Sequence, residues 1–589
     1  MVLIFDLESA HPDGKINVEN AIFKTIAFYE YETDKYSFYT YEQKDEIIKV
    51  FQKHRVIIGF NSESFDIPIL KRFGAFKFKH THIDLYQVLK KRGAYIGLKY
   101  VSKSLSNIAK VLKLKNYKDD DFDYSILNKE AWTPEELEYI KTYNILDIKV
   151  TKDLYERIKE FFEPFKEFVS KYDQREMKWM KCSMASFAYK TICNKTGIKE
   201  EYEDGVEGIS YEGAIVYEPT CSEEHYDIVA YDYKSLYPHN NIQGNLYSYK
   251  CKCCSQEEKW HGNDLFPVVG YYCTKHQGKI EKALKEIYIL RQKYKKIGDP
   301  RQKALKIVLN SFYGASAKPV FKNIYNQNTV SDCTLIGRKC IELSHKMFGD
   351  AGYKILYGDT DSIYVKDPFK NRERLTKIKD QIVQKIKDNL PFPSETFDMG
   401  LDDEIKHIYF FKTSDRFAKK NYMYVKEDDE LIIKGMTMIR GDSSKIGFEL
   451  FNKHMRELVI KGQIKFDYYD ILKWATQYLE ENPNSAIRTW GVNEASTYKL
   501  DSQLQAQIAK RYGPGRHLLM PNDTFGVGNS TKYCTLEEFK EQKLGTSNIV
   551  LDKMWKELSY FCEIPKKERK SNQHKMRKQK TSLLKWFGV

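Results

Sequence analysis

The chain opens on a short apolar run, VLIFDLE, and RVIIGFN (Arg55–Asn61) repeats that pattern. Short apolar runs bounded by polar residues predict buried strands. SKSLSNIAKVLKL (Ser102–Leu114) and EELEYIKTYNILDIKVTKDLYERIKEFF (Glu135–Phe162) carry helix-spaced apolar positions instead and predict helices. Strand and helix signals alternate to about residue 165, which predicts one α/β domain, followed by a helical connection. DIVAYDY (Asp227–Tyr233) predicts a strand. KIEKALKEIYILRQKYKKIG and RQKALKIVLNSFYGA predict two helices, broken into a hairpin at Asp299-Pro300. YKILYGDTDSIYVK (Tyr353–Lys366) predicts two short strands around a turn. The last part of the chain is expected to be mostly helical and ends in a basic tail, KKERKSNQHKMRKQK.

A chain of 589 residues accommodates several domains, each with its own core. It has no apolar run long enough to span a membrane, and MVLIFDLESA lacks the pattern of a secretory signal. An intracellular protein is expected, in the host cytoplasm if the source is a phage. The 11 cysteines suit a reducing compartment, which makes clustered cysteines metal candidates. A net charge of +14 favours a polyanionic partner, and 43 Tyr, 33 Phe and 7 Trp offer rings for base stacking. A/T-leaning codon usage produces the same abundance of Lys, Ile and Tyr, so composition points toward nucleic acid without deciding it.

Two sets of acids sharpen the picture. Asp6 and Glu8 stand at i, i+2 on a strand and share a face. Asp66 follows the second strand, and Tyr143, Asp147 and Thr151 line one helix face. Taken singly, each acid is explained as a cap or a solvated charge. Converging, Asp6, Glu8, Asp66 and Asp147 suit a hard-cation site able to bind two Mg²⁺ about 4 Å apart and hydrolyse a phosphodiester, with Tyr143 orienting water. FDLE, N-x3-FD (Asn61, Phe65, Asp66) and Y-x3-D (Tyr143, Asp147) resemble the three motifs of DEDDy-type 3′–5′ proofreading exonucleases. That resemblance implies a ribonuclease-H-like fold, metal roles for the four acids, and Asn61 and Phe65 at the terminal bases.

The second set is YDYKSLYP (Asp232, Ser235, Leu236, Tyr237) and YGDTDS (Asp359, Asp361). Asp232 and Asp361 suit two Mg²⁺ (or Mn²⁺), one activating a primer 3′-hydroxyl and one neutralising a triphosphate. These segments resemble motifs A and C of family B DNA polymerases. KALKIVLNSFYG between them resembles motif B, with Lys306, Asn310 and Tyr313 on one helix face. The resemblance implies that Lys306 clamps the triphosphate and can protonate the leaving pyrophosphate, and that Tyr313 packs on the nascent pair. Arg291 and Lys295, i and i+4 on the partner helix, would grip the same phosphates. Tyr237 would lie under the incoming sugar and exclude a 2′-hydroxyl.

Smaller motifs follow the same order. YEGA (Tyr211, Gly213) resembles the family's Y-x-G-G/A stretch that touches template, and KKNY resembles its K-x-Y motif, with Lys420 and Tyr422 at the primer end. KGMTMIRGD (Lys434–Asp442) resembles a downstream K-G-x4-R-x-D stretch. Asn421 and Gly441 depart from common forms, where relatives often carry Arg.

The expected fold is multidomain, α/β and α+β: a ribonuclease-H-like exonuclease plus a right-hand polymerase. The expected division is 1–165 exonuclease, 166–210 helical connection, 211–275 first palm part, 276–318 short two-helix fingers, 319–450 second palm part, and 451–589 helical thumb. Motifs A and B lie only about 75 residues apart, which leaves no room for the insertion of protein-primed relatives, so a nucleic-acid primer is expected. Small fingers and composition suggest a viral or phage replicase, acting as a monomer on primer-template DNA and dNTPs. The alternatives are a DNA-binding exonuclease or repair factor with a vestigial polymerase site, and a replisome scaffold.

Two further features stand out. Cys251-x2-Cys254 and Cys273-x2-His276, 18 residues apart, have the spacing of a structural zinc site (residues 251–276), with Cys253 a spare thiol and His261 a weaker ligand. Buried cysteines beside a phosphate-facing His276 are the plainer reading. At the C-terminus, Leu583, Trp586 and Phe587 form an apolar cluster that resembles sliding-clamp-binding peptides, although Lys580 stands where many carry Gln. A helix folded back on the thumb is the alternative. Lys566–Lys580 are candidates for tracking duplex phosphates.

Overall fold

The computed structural model describes residues 2–11, 18–74, 79–92, 104–117, 122–175, 177–208, 210–299, 301–413, 416–436, 445–482, 485, 488–492, 510, 515–519, 525–526 and 560–563. The candidate clamp peptide (Leu583, Trp586, Phe587), the basic tail and most of the K-G-x4-R-x-D stretch lie outside them. The chain divides into two compact units: 1–213 with 235–336 and 387–396, and 214–234 with 337–386 and 397–589.

In the first unit, the opening apolar run forms β1 (Val2–Ala10). It pairs antiparallel with β2 (Ile22–Glu30), which pairs with β3 (Lys35–Thr40), and parallel with β4 (Val56–Gly59), which pairs with β5 (Thr81–Asp84). Leu3, Phe5 and Leu7 feed one core and Ile4 another, so β1 is covered on both faces. This explains why it reads as a continuous apolar run rather than an alternating one. A 33-residue helix, Pro134–Lys166, packs on the Ile4 side. Its start is written in WTPEE: Thr133 Oγ1 accepts the Glu136 N–H, Glu136 accepts the Thr133 N–H, and Pro134 fills the first helical position. The same core continues through the Met184–Thr196 helix to the hairpin of Lys279–Lys296 and Arg301–Ser316.

In the second unit, β6 (Val216–Tyr217), β7 (Glu223–Tyr233), β8 (Lys354–Asp359), β9 (Ser362–Lys366), β10 (Met399–Thr413), β11 (Arg416–Lys426) and β12 (Leu431–Lys434) form a seven-stranded antiparallel sheet. The strand order is β12-β11-β10-β7-β9-β8-β6. β7 is central because IVAY (Ile228–Tyr231) is buried and bonded on both edges. The Gln327–Asp350 helix was not expected, and the division between the units falls within it.

Short helices follow residue 445, as expected, but a three-stranded antiparallel sheet accompanies them: β13 (Arg488–Val492), β14 (Gly515–Leu519) and β15 (Phe525–Gly526). Strands of five and two residues carry too little alternation to read from the sequence. No described helix is long and apolar enough to cross a membrane.

Candidate functional site

Asp6 and Glu8 share the face of β1 that meets the long helix. One carboxylate oxygen from each of Asp6, Glu8 and Asp147 lies within 4.8 Å of the others. Asn144, absent from the sequence reading, donates from Nδ2 to Asp6 Oδ2 at 3.2 Å and to the Asp6 carbonyl at 3.3 Å, fixing the carboxylate. Asp66 is not among the three. It is buried, and its Oδ1 accepts the Leu7 N–H at 3.2 Å. Burial pushes its carboxyl up to about 7. Three clustered carboxylates suit a hard divalent cation, whose charge offsets their repulsion.

Tyr143 is nearly buried, stacks on Phe122 at 3.8 Å, and shares a 2.6 Å hydrogen bond between its hydroxyl and that of Tyr124. Burial, then Asp147, raises its pKa, so the hydroxyl stays protonated. Asn61 adopts φ +57°, and its N–H donates to Asp84 Oδ1 at 2.9 Å. Asp84 also accepts from Glu63 and Tyr86 N–H groups, so it organises the Asn61 loop, a role no motif announced. Gly59 is required there, because a Cβ would collide with the Ser62 side chain. Phe65 lies half-buried beside His11.

In the second unit, Asp232 sits near the end of β7, opposite Ser362 of β9. The β8–β9 turn is Asp359-Thr360-Asp361-Ser362, with Thr360 at φ +61°. The Tyr233 N–H donates to the Asp361 carbonyl at 2.8 Å, which brings the turn to the residue after Asp232. Tyr233 is itself anchored, its hydroxyl 2.7 Å from Ser344 Oγ. Lys420 Nζ pairs with Asp359 Oδ1 at 2.9 Å. Among the described residues Asp361 forms no ion pair, although Lys420 lies near enough to lower its carboxyl; burial first, then Asp359, outweigh this and raise it to about 6. Asp402, beside a bulge in β10, adds to that shift and is an acid the sequence reading missed.

Tyr422, expected at the primer end, has its ring inside the sheet. It is 6% exposed, shares a 3.0 Å hydroxyl hydrogen bond with Tyr364, and packs on Tyr357 and Phe410. It is a core residue of the sheet, and of the two KKNY residues Lys420 is the exposed one.

In the first unit, the helical hairpin presents Lys306 and Asn310 as exposed side chains and Tyr313 as a half-buried one. The Tyr313 hydroxyl donates to the Tyr211 hydroxyl at 3.1 Å, and its ring lies 4.6 Å from that of Tyr237. Arg291 Nη1 donates to Ser235 Oγ at 3.3 Å, while its Nε is buried with no hydrogen-bond partner among the described residues. Lys295 is exposed. Leu236 is 3% exposed, so only its peptide group can meet a ligand. A Cβ at Gly213 would meet open space.

Comparison with known proteins resolves which family combines these sites. The family model described as DNA polymerase family B matches residues 172–514, more than half of the chain. The chain belongs to DNA polymerase family B. A second model, of the RNase_H superfamily, matches residues 3–159. DNA polymerase 1 of Pyrococcus abyssi (strain GE5 / Orsay) is 26% identical over 500 residues, covering 75% of this chain and 60% of that protein. The DNA polymerase of Thermococcus gorgonarius is 28% identical over 381 residues, covering 60% and 46%. The chain thus spans about 60% or less of the length of these two relatives. The family B DNA polymerase structure from Pyrobaculum calidifontis matches with a TM-score of 0.50 at 18% identity, covering 90% of this chain and 73% of that one. The expected ribonuclease-H-like and polymerase folds are borne out by these matches.

Proposed function

We propose that this family B member is a template-directed DNA polymerase with a separate 3′–5′ proofreading exonuclease. It would extend a nucleic-acid primer on a DNA template with dNTPs. The observation that carries the reading is the Tyr233 N–H bond to the Asp361 carbonyl, which puts motif A and motif C acids at neighbouring strand ends.

Asp232 and Asp361 would hold the divalent ions for synthesis, Mg²⁺ or Mn²⁺. Asp6, Glu8 and Asp147, with Asp66 behind them, would hold those for excision. When bound, such ions supply charge neutralisation and activation of the attacking oxygen. The protein's own residues do the rest. Lys420 pairs with Asp359, and burial beside Asp359 makes Asp361 an acid that would gain from a bound cation. Lys306, Arg291 and Lys295 supply positive charge for a triphosphate, and the buried Arg291 Nε, with no partner among the described residues, is a donor suited to an anion. Tyr237 is the candidate sugar gate. In the exonuclease, Tyr143 keeps its proton and donates through it, while Asn61 and Phe65 are candidates for the terminal bases.

The domain division given above is proposed with this function. So is binding of a clamp by Leu583, Trp586 and Phe587: truncation after Arg577 should lose clamp-dependent processivity and keep distributive synthesis. Incubating the protein with primed template and Mg²⁺ tests the function. Elongation with dNTPs and 3′ trimming without them are expected; trimming alone would favour the exonuclease or repair factor.

A further inference from the structure

We propose that Cys251, Cys253, Cys254 and Cys273 bind one structural zinc ion, which ties the segment after the motif A helix to the start of the first finger helix. The inference rests on thiol geometry and does not depend on the polymerase reading.

All four sulfurs lie within 4.8 Å of one another. The Cys251–Cys254 separation is 3.9 Å, Cys253–Cys254 is 3.8 Å, and Cys273 lies 3.4 Å from both Cys253 and Cys254. A tetrahedral zinc with bonds of about 2.3 Å has sulfur–sulfur edges of about 3.8 Å. The Cys251–Cys253 edge, at 2.8 Å, must open by rotation of the exposed Cys253 side chain. Four free thiols, of which only Cys273 is buried, have no packing reason to share one spot. Two backbone donors already point at sulfur: the Cys253 N–H at Cys251 Sγ and the His276 N–H at Cys273 Sγ, both at 3.3 Å. Such donors stabilise thiolate charge.

Cys253, a spare thiol by spacing, therefore takes the fourth place that spacing gives to His276. The His276 Nδ1 lies 3.4 Å from Cys253 Sγ, yet the ring is not one of the four clustered groups. His261 is engaged elsewhere, with Nδ1 2.9 Å from the Gly270 carbonyl and its ring stacked on Tyr271. Thiolates select zinc over Mg²⁺, and four protein ligands close the site, which makes it structural. Binding releases the four thiol protons to solvent, with no change of oxidation state.

The place explains the purpose. The helix Leu236–Gly244 ends at Asn245, whose Nδ2 donates to the Cys273 and His276 carbonyls at 2.8 and 3.0 Å. Asn245 Oδ1 accepts the N–H of Gly278, the N-cap of the Lys279–Lys296 helix, at 2.8 Å. Ser248 Oγ accepts the Cys273 N–H at 2.8 Å. The metal would lock the Cys251–Cys254 turn onto this stitched junction.

The test is metal analysis of chelator-washed full-length protein reloaded with zinc, with alkylation of accessible thiols mapped by mass spectrometry. One zinc per chain is expected, protecting Cys251, Cys253, Cys254 and Cys273. Cobalt should give the charge-transfer bands of a tetrahedral tetrathiolate. Cys253→Ser should weaken zinc at least tenfold against a chromophoric chelator, and His276→Asn should retain it. No zinc above trace, iron with sulfide, or a Cys251–Cys253 disulfide would overturn the site. Loss of zinc in His276→Asn with retention in Cys253→Ser would overturn the ligand set. Should Cys253→Ser not fold, wild-type protection and the cobalt spectrum decide.

Discussion

The ring of Tyr237 lies 4.6 Å from that of Tyr313, tilted by 43°, and Tyr313 is held in turn by the Tyr211 hydroxyl. The candidate gate is thus braced by the motif B helix. Tyr237→Ala should raise ribonucleotide incorporation relative to deoxynucleotide at least tenfold, about 1.4 kcal/mol of lost discrimination. Single-nucleotide insertion with each sugar measures this. Unchanged selectivity would refute the gate.

Excision should separate from synthesis. Asp6→Ala with Glu8→Ala should abolish 3′ trimming and spare extension. Asn144→Ala leaves the carboxylates in place but removes the donor that orients Asp6, so trimming should fall by about 10–100-fold. Trimming rates at several Mg²⁺ concentrations check it: partial rescue by excess Mg²⁺ is the signature of a positioning residue.

Lys306 is exposed on the helix face shared with Asn310 and Tyr313. Its proposed contact is charge-assisted, worth about 1.5–3 kcal/mol. Lys306→Ala should therefore raise the KM for dNTP by tenfold or more while leaving primer-template affinity unchanged. An equal loss of DNA affinity would move Lys306 from the nucleotide to the duplex.

Glu281, in the first turn of the Lys279–Lys296 helix, is fully buried and accepts the Tyr247 N–H at 2.5 Å. Burial pushes its carboxyl from 4.5 up to about 7. The folded state then holds a proton that the unfolded chain releases. Its contribution is complete below pH 4.5 and is lost as pH rises through 7, on the order of 3 kcal/mol. Glu281→Gln should raise the melting temperature at pH 8 and leave it little changed at pH 4.5. Equal effects at both pH values would show that the carboxyl ionises normally.

Much of the candidate chemistry was legible because it follows short periods. Asp6 and Glu8 share a strand face, Tyr143 and Asp147 a helix face, and Asp359 and Asp361 a turn. What stayed hidden depends on partners far along the chain. Asn144 gains its role only from Asp6, 138 positions away, and Asp84 only from the loop it holds. The Gln327–Asp350 helix buries Thr329, Asp332, Thr334 and Ser344, so its inward face is not marked by apolar residues alone. Their polar groups are satisfied internally: Asp332 accepts the Val269 and Gly270 N–H groups and the Tyr272 hydroxyl. The burial of Tyr422 was hidden because a motif names residues without saying which side of the sheet they face.

Asp232 and Asp361 are proposed to form the synthetic centre, distinct from the cluster of Asp6, Glu8 and Asp147. Primer extension and 3′ trimming on one labelled primer-template, wild type beside Asp232→Ala, test this most directly. The variant should lose extension by several orders of magnitude and trim at the wild-type rate. Extension that survives in Asp232→Ala, or trimming that disappears with it, would contradict the account.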